Sequence, residues 1–127
     1  MATNVKEMLA AANTVVPKIS HDAARKMMEE GKVLVVDVRD ASEVQASGKI
    51  KGALNVSRGM LEFRADADSP GYDKSFVKDR PIILYCGSGA RSALGGKVLK
   101  DFGYQNVHNL GAFSSWVESG GEVEKIA

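Results

Sequence analysis

Pro81–Arg91 reads Pro-Ile-Ile-Leu-Tyr-Cys-Gly-Ser-Gly-Ala-Arg and contains the only cysteine of the chain, Cys86. Its first half is an apolar run, which is typical of a buried strand, and the small residues after it predict a tight turn into a helix. The thiol of Cys86 is therefore expected at the carboxyl end of a strand, where open α/β sheets have their ligand sites. Close to a helix N-terminus such a thiol ionises readily, and the thiolate is the form that acts as a nucleophile.

The overall composition limits what the chain can do. With 127 residues, 44% of them hydrophobic and 26% charged, it has the size and balance of one globular domain. A net charge of +1 gives no support for binding to nucleic acid or to an anionic membrane. One cysteine and two distant histidines, His21 and His108, predict neither a disulfide nor a metal site, and no cofactor is expected. Without a signal-peptide pattern at its start, the chain is predicted to be cytoplasmic.

Helix and strand patterns alternate along the chain. Ser20 and Gly31 are placed to begin and end one of the helices. The other predicted elements are strands at Val33–Val36, within Ile50–Val56, at Pro81–Tyr85 and at Asn106–Leu110, and helices at Asn4–Asn13, after Ser42, at Arg91–Phe102 and at Ala112–Ser119. We predict an α/β fold whose central, mostly parallel sheet has helices on both faces. Residues 1–18 are expected to form a helical extension and residues 19–125 the domain itself.

The spacing around Cys86 argues against several chemistries and leaves two. Gly89 stands where a Cys-x-x-Cys redox motif needs its second cysteine, and Ser92 stands where a dinucleotide-binding loop needs its third glycine. Cysteine-dependent phosphatases have five residues between cysteine and arginine, whereas four separate Cys86 from Arg91. The shorter loop suits the transfer of a sulfane sulfur, which is the outer sulfur of a persulfide or of thiosulfate.

Four motifs in a fixed order resemble those of single-domain rhodaneses, a family of sulfurtransferases. Residues 86–91 match the Cys-x-x-Gly-x-Arg active loop, and residues 36–39, Val-Asp-Val-Arg, match the first motif, with Glu43 at a position that is usually acidic. Residues 48–56 resemble Gly-His-Ile-Pro-Gly-Ala-x-Asn-Ile, with lysines at the histidine and proline positions. Residues 111–116 resemble the closing Gly-Gly-x-x-x-Trp. The resemblance extends from about Ile19 to Val123.

The resemblance implies a rhodanese-like domain with a two-step sulfur transfer through Cys86. The Cys86 thiolate takes a sulfur from thiosulfate or a persulfide, and the resulting persulfide passes it to cyanide or to a thiol, which can belong to a small molecule or to a protein. The loop is expected to surround the sulfur with backbone N–H groups that bind anions and lower the pKa of Cys86. The loop residues are Gly87, Ser88, Gly89, Ala90 and Arg91.

The charged side chains around the loop have alternative roles. Arg58 is a candidate for donor recognition, and Asp37 is a candidate for support of the loop. The expected ion pairs are Arg91 with Asp37, Arg39 with Glu43 and, if Arg58 does not bind the donor, Arg58 with Glu62. Arg91 is alternatively expected to attract an anionic donor.

The loop itself carries little charge, because Arg91 is its only basic residue. Thiosulfate is a dianion and is therefore expected to be a poorer donor than a persulfide. Two other functions stay open at this point. One is a binding or regulatory module that uses the fold without turnover, and the other is a phosphatase or arsenate reductase, against which the short loop argues.

Overall fold

Helices and strands alternate through residues 2–126, the part of the chain that the computed structural model describes. The helices are α1 (Val5–Val15), α2 (His21–Glu30), α3 (Ala41–Ser47), α4 (Leu61–Ala65), α5 (Ala90–Asp101) and α6 (Phe113–Glu118), and a short 3-10 helix covers Arg58–Met60. The strands are β1 (Leu34–Asp37), β2 (Lys49–Ile50), β3 (Leu54–Asn55), β4 (Ile82–Cys86), β5 (Val107–Ala112) and β6 (Val123–Glu124). Within these residues no helix is both long and apolar enough to cross a bilayer.

Four parallel strands form the central sheet in the order β3-β1-β4-β5. The strand that leads to Cys86, β4, is an interior strand and is buried along its whole length. The short strands β2 and β6 make a separate antiparallel pair. The predicted α/β fold with a mostly parallel central sheet is thus confirmed.

Two hydrophobic cores lie on opposite faces of the sheet, because successive side chains of a strand point to opposite faces. Leu84 and Cys86 belong to the core that also contains residues of α4 and α5. Ile83 and Tyr85 belong to the core that contains residues of α2 and α6. Burying each large side chain stabilises the fold by about 2 kcal/mol. Helices cover both faces, and this explains why the strand is an unbroken apolar run.

Two sequence predictions concerning local structure were wrong. The third helix begins after Asp40 instead of Ser42, because the Glu43 carboxylate accepts a hydrogen bond from the Asp40 N–H (3.1 Å), the arrangement of a capping box. Residues 50–56, predicted to contain one strand, contain parts of two strands separated by a turn at residues 51–53. The two strands pair with different partners, β6 and β1, and only the tertiary structure brings those partners together.

The other helix signals were correct. The Ser20 hydroxyl accepts a hydrogen bond from the Ala23 N–H (3.1 Å) at the start of α2, and Gly31 ends that helix in a left-handed conformation. In α5, Gly95 and Gly96 allow close packing against side chains of neighbouring segments. A Cβ on Gly95 would lie 2.9 Å from a methyl of Leu61, and one on Gly96 would lie 2.8 Å from a methyl of Val16.

We predict that Gly96→Ala destabilises the fold by about 1 kcal/mol. Alanine gains about 1 kcal/mol of helix propensity, but overpacking costs about 1–3 kcal/mol. Both methyls of Val16 lie within 3.0 Å of the added carbon, so rotating that β-branched side chain does not relieve the contact. Urea unfolding of the variant measures the difference.

Gly59→Ala is the matched control, because no atom lies within 4 Å of its added Cβ. Its free energy of unfolding should stay within about 0.5 kcal/mol of the parent value. Equal stability of both variants would show that α1 does not pack tightly on Gly96.

Candidate active site

The thiol of Cys86 lies at the last position of β4, immediately before the loop that leads into α5. Gly89 ends this loop with a φ of 95°, which is a left-handed conformation that favours glycine. A Cβ at Gly89 would also lie 3.3 Å from the Cα of Gly111, so the end of β5 packs directly on the loop. Glycine at position 89 is thus favoured by both backbone conformation and space.

Hydrogen-bond donors converge on the sulfur. The Gly89 N–H donates to Cys86 Sγ (3.0 Å), and the Ser92 hydroxyl oxygen lies 3.4 Å from it. Cys86 is fully buried, with 0% of its surface exposed. Burial acts to raise the pKa of the thiol, but the Ser92 hydroxyl and the N–H groups of Ser92, Ser88 and Gly89 together lower it below its ordinary value. The site therefore favours the thiolate.

A buried amide supports the loop from the neighbouring strand. Asn109, only 4% exposed, donates from Nδ2 to the Gly89 carbonyl oxygen (3.1 Å). Its Oδ1 accepts from the Ser92 hydroxyl (2.7 Å) and from the Gly111 N–H (3.0 Å). Ser92 has one hydroxyl hydrogen and three acceptors within reach, which are Asn109 Oδ1, the Gly89 carbonyl oxygen (3.1 Å) and the sulfur. Asn109 and Ser92 therefore form one network with the thiol.

Sequence reasoning missed both of these residues. From the sequence, Ser92 was considered only as the residue at the third glycine position of a dinucleotide-binding loop. Asn109 was considered only as part of a predicted strand. The available signal for Ser92 was a hydroxyl in the first turn of the helix that follows the cysteine. Asn109 gave no such signal, because parallel pairing alone brings β5 beside β4.

Arg91 does not pair with Asp37, contrary to the prediction. Its guanidinium makes two bonds to the Glu43 carboxylate, of 2.7 and 3.0 Å, and thereby joins α5 to α3. These bonds from Arg91 lower the pKa of Glu43 to about 2 and raise the pKa of Arg91. The pair lies next to Gly87, where a Cβ would be 3.1 Å from Arg91 Nη2. The positive charge of the loop is thus already neutralised.

The predicted pair of Arg39 with Glu43 was also wrong. Arg39 instead binds Asp37, with a closest distance of 2.7 Å, and both side chains are buried. The guanidinium also donates to the Gly48 carbonyl oxygen (2.8 Å) and lies 4.2 Å from the ring centroid of Phe113. The Arg39 backbone N–H also donates to Asp37 Oδ1 (2.9 Å), so the two residues are held together at the bend that follows β1. The pair is internal to the scaffold and leaves Glu43 free to bind Arg91.

The remaining predicted residues occupy two places. Gly87 and Ser88 form the exposed surface of the loop, and Ala90 begins α5. Arg58 pairs with Glu62 (2.8 Å), which was the alternative expectation for it, and its side chain lies near Gly95 in the middle of α5. Recognition of the donor by Arg58 stays a prediction.

We expect Ser92→Ala to raise the pKa of Cys86 and to slow alkylation of the thiol by iodoacetamide at neutral pH. The change removes a hydrogen bond to the charged sulfur worth about 1.5–3 kcal/mol, so the rate should fall by roughly an order of magnitude. The alkylation rate measured against pH should show its midpoint moved upward. Ser88→Ala is the control, because its N–H is retained, and an identical pH profile for Ser92→Ala would contradict the role of the hydroxyl.

Comparison with known proteins gives consistent matches. The sequence profile of the rhodanese-like domain matches residues 20–119. A protein from Allochromatium vinosum named sulfurtransferase is 31% identical over 102 residues, which cover 80% of this chain and 87% of that protein.

Two solved structures are similar over nearly the whole chain. A Rhodopseudomonas palustris protein of unknown function, described as a possible tyrosine phosphatase, is 36% identical with a TM-score of 0.89 and covers 98% of this chain and 96% of its own. The polysulfide-sulfur transferase homodimer of Wolinella succinogenes is 31% identical with a TM-score of 0.76. The match covers 96% of this chain and 88% of the Wolinella chain. With four motifs, a cysteine loop of the expected length and a profile match over most of its residues, the chain belongs to the rhodanese-like domain family.

Proposed function

We propose that this protein is a sulfurtransferase in which Cys86 carries the sulfur as a persulfide. The observation that supports this most strongly is the set of hydrogen-bond donors around the Cys86 sulfur, which lower its pKa although it is buried. The same donors favour an anionic sulfur in every state of the cycle, because they are part of the loop itself. The names of relatives that transfer sulfur support the same reaction class.

The proposed reaction has two exchange steps. In the first, the Cys86 thiolate attacks the outer sulfur of a donor R–S–SH. The S–S bond of the donor breaks, a new S–S bond forms to Cys86, and R–S⁻ leaves with the electron pair; with thiosulfate the leaving group is sulfite. In the second, an acceptor thiolate or cyanide attacks the outer sulfur, and Cys86 leaves as a thiolate. The N–H donors stabilise Cys86 as nucleophile in the first step and as leaving group in the second.

A persulfide is the better-supported donor. Thiosulfate is a dianion whose charge is shared between the transferred sulfur and the adjacent sulfonate, so a free cation at the loop would favour its binding. Arg91, the cation of the loop, already makes a double hydrogen bond with Glu43. Binding of thiosulfate there has to compete with that carboxylate.

A phosphatase is the second candidate, because a relative 36% identical to this chain is described as a possible tyrosine phosphatase. Two features argue against it. Ser92 stands at the sixth position after the cysteine, where that chemistry has arginine, and Arg91 is bound to Glu43 instead of to the loop interior. Hydrolysis of p-nitrophenyl phosphate that depends on Cys86 would favour the phosphatase over sulfur transfer.

Intact mass spectrometry tests the proposed function directly. After treatment with a persulfide donor, the protein should gain the mass of one sulfur atom, and cyanide should remove it. Cys86→Ser should gain nothing. Absence of an adduct with every donor would contradict sulfur transfer and would favour the binding module without turnover.

Paired glutamate variants test which arginine limits the use of thiosulfate. Glu43→Gln releases Arg91, and Glu62→Gln releases Arg58 in the same way. Because an exposed ion pair contributes up to about 1 kcal/mol, we expect Glu43→Gln to lower KM for thiosulfate by up to about fivefold. KM for a persulfide donor should stay unchanged.

Glu62→Gln is the matched control and should leave both KM values unchanged. A lower thiosulfate KM in Glu62→Gln alone would instead identify Arg58 as the donor-binding residue. A wild-type KM for thiosulfate in the low micromolar range would contradict the preference for a persulfide.

A further inference from the structure

A groove runs beside the active loop, between the loop and the N-terminal helix. Its volume is about 370 Å³. Its lining includes Leu9 and Asn13 of α1, Lys18 and Ile19 of the segment after that helix, and Ser88–Ala90 at the active loop. The groove therefore shares the loop with the sulfur of Cys86, and its size suits a small molecule.

The position of Lys18 relative to the loop is set by backbone hydrogen bonds. The Asn109 N–H donates to the Pro17 carbonyl oxygen (2.9 Å), and the Ile19 N–H donates to the Asn109 carbonyl oxygen (3.1 Å). Asn109 also holds the loop through Gly89, as described above. One residue of β5 thus ties the segment that carries Lys18 to the segment that surrounds the sulfur.

Lys18 is the charged residue among those that line the groove, whose other members are apolar or neutral. The ion pairs among residues 2–126 do not involve it. A cation in a groove whose other lining residues are uncharged favours an anionic ligand. Because the family profile begins at residue 20, Leu9, Asn13 and Lys18 belong to a part of the chain outside it.

We propose that this groove binds the acceptor, a small thiol that carries a carboxylate, with the carboxylate on Lys18 and the sulfur directed to the Cys86 persulfide. The assignment of an acceptor rests on the proposed sulfur transfer. The thiolate of the bound molecule attacks the outer sulfur, and Cys86 leaves as a thiolate. A carboxylate several bonds from the sulfur can reach a lysine on the groove wall, whereas thiosulfate has its charge on and beside the transferred sulfur. The groove therefore selects an amino-acid or short peptide thiol.

A binding measurement separates this proposal from the sulfur-transfer reaction. The probe is S-methyl-N-acetylcysteine, which cannot accept sulfur, and its uncharged amide is the reference ligand. Amide NMR signals of Lys18, Ser88 and Gly89 should shift on titration with the acid. The acid should bind about three- to fivefold more tightly than the amide, the range for an ion pair at a partly exposed site.

Charge variants show whether Lys18 carries this preference. Lys18→Met should remove the difference between acid and amide, and Lys18→Glu should reverse it. Lys26→Met, which removes an exposed lysine on α2, should keep the wild-type difference. Equal binding of acid and amide to the wild-type protein, or shifts confined to other parts of the protein, would overturn the groove assignment whether or not the protein transfers sulfur.

Transfer rates then test the assignment of the ligand as acceptor. With the Cys86 persulfide formed, N-acetylcysteine should remove the outer sulfur at a lower half-saturating concentration than its amide does. Lys18→Met should raise that concentration for the acid alone and leave KM for thiosulfate unchanged. Binding of the acid without any persulfide formation would contradict the sulfurtransferase while leaving the groove assigned. An equal effect of Lys18→Met on acid and amide transfer would overturn the role of Lys18.

Discussion

Stabilising a negative charge on a fully buried sulfur is the constraint on which the site depends. Transferring an ion out of water costs several kcal/mol, and each hydrogen bond to a charged group offsets about 1.5–3 kcal/mol of that cost. One hydrogen-bond donor therefore does not offset the cost of burying the charge. The loop supplies backbone N–H groups, and the first turn of α5 adds the Ser92 hydroxyl. The small residues of the loop follow from this requirement, because side chains at Gly87 and Gly89 would meet Arg91 and Gly111.

The rest of the fold holds this loop in place. Cys86 lies at the carboxyl end of β4, an interior strand of the sheet. The neighbouring strand β5 carries Asn109, which makes hydrogen bonds to Gly89 and Ser92. On the other side, Glu43 of α3 holds Arg91. Arg39 and Arg91 are thereby paired within the protein, and the groups that donate hydrogen bonds to the sulfur are neutral.

Local signals explain what could be predicted. The apolar run of β4, the caps of α2 and the glycines after Cys86 each act within a few residues of the chain, and all three were read correctly. Ion pairs were not predictable in the same way. Asp37 and Glu43 are both acidic, and sequence spacing does not show which of them binds Arg39 and which binds Arg91. The bend after β1 decided the pairing: it places Arg39 on Asp37, and this leaves Glu43 for the arginine of the loop.

The sequence by itself determined the α/β class, the position of the cysteine at the end of a strand, the length of its loop and the family, since each of these depends on residue type and short-range spacing. Only the tertiary structure decided the partners: Ser92 and Asn109 at the sulfur, Glu43 on Arg91, and α1 with Lys18 beside the loop. These contacts join residues that are far apart in the chain or that lie on neighbouring parallel strands. Their formation depends on strand order and on helix packing, which no short stretch of sequence contains.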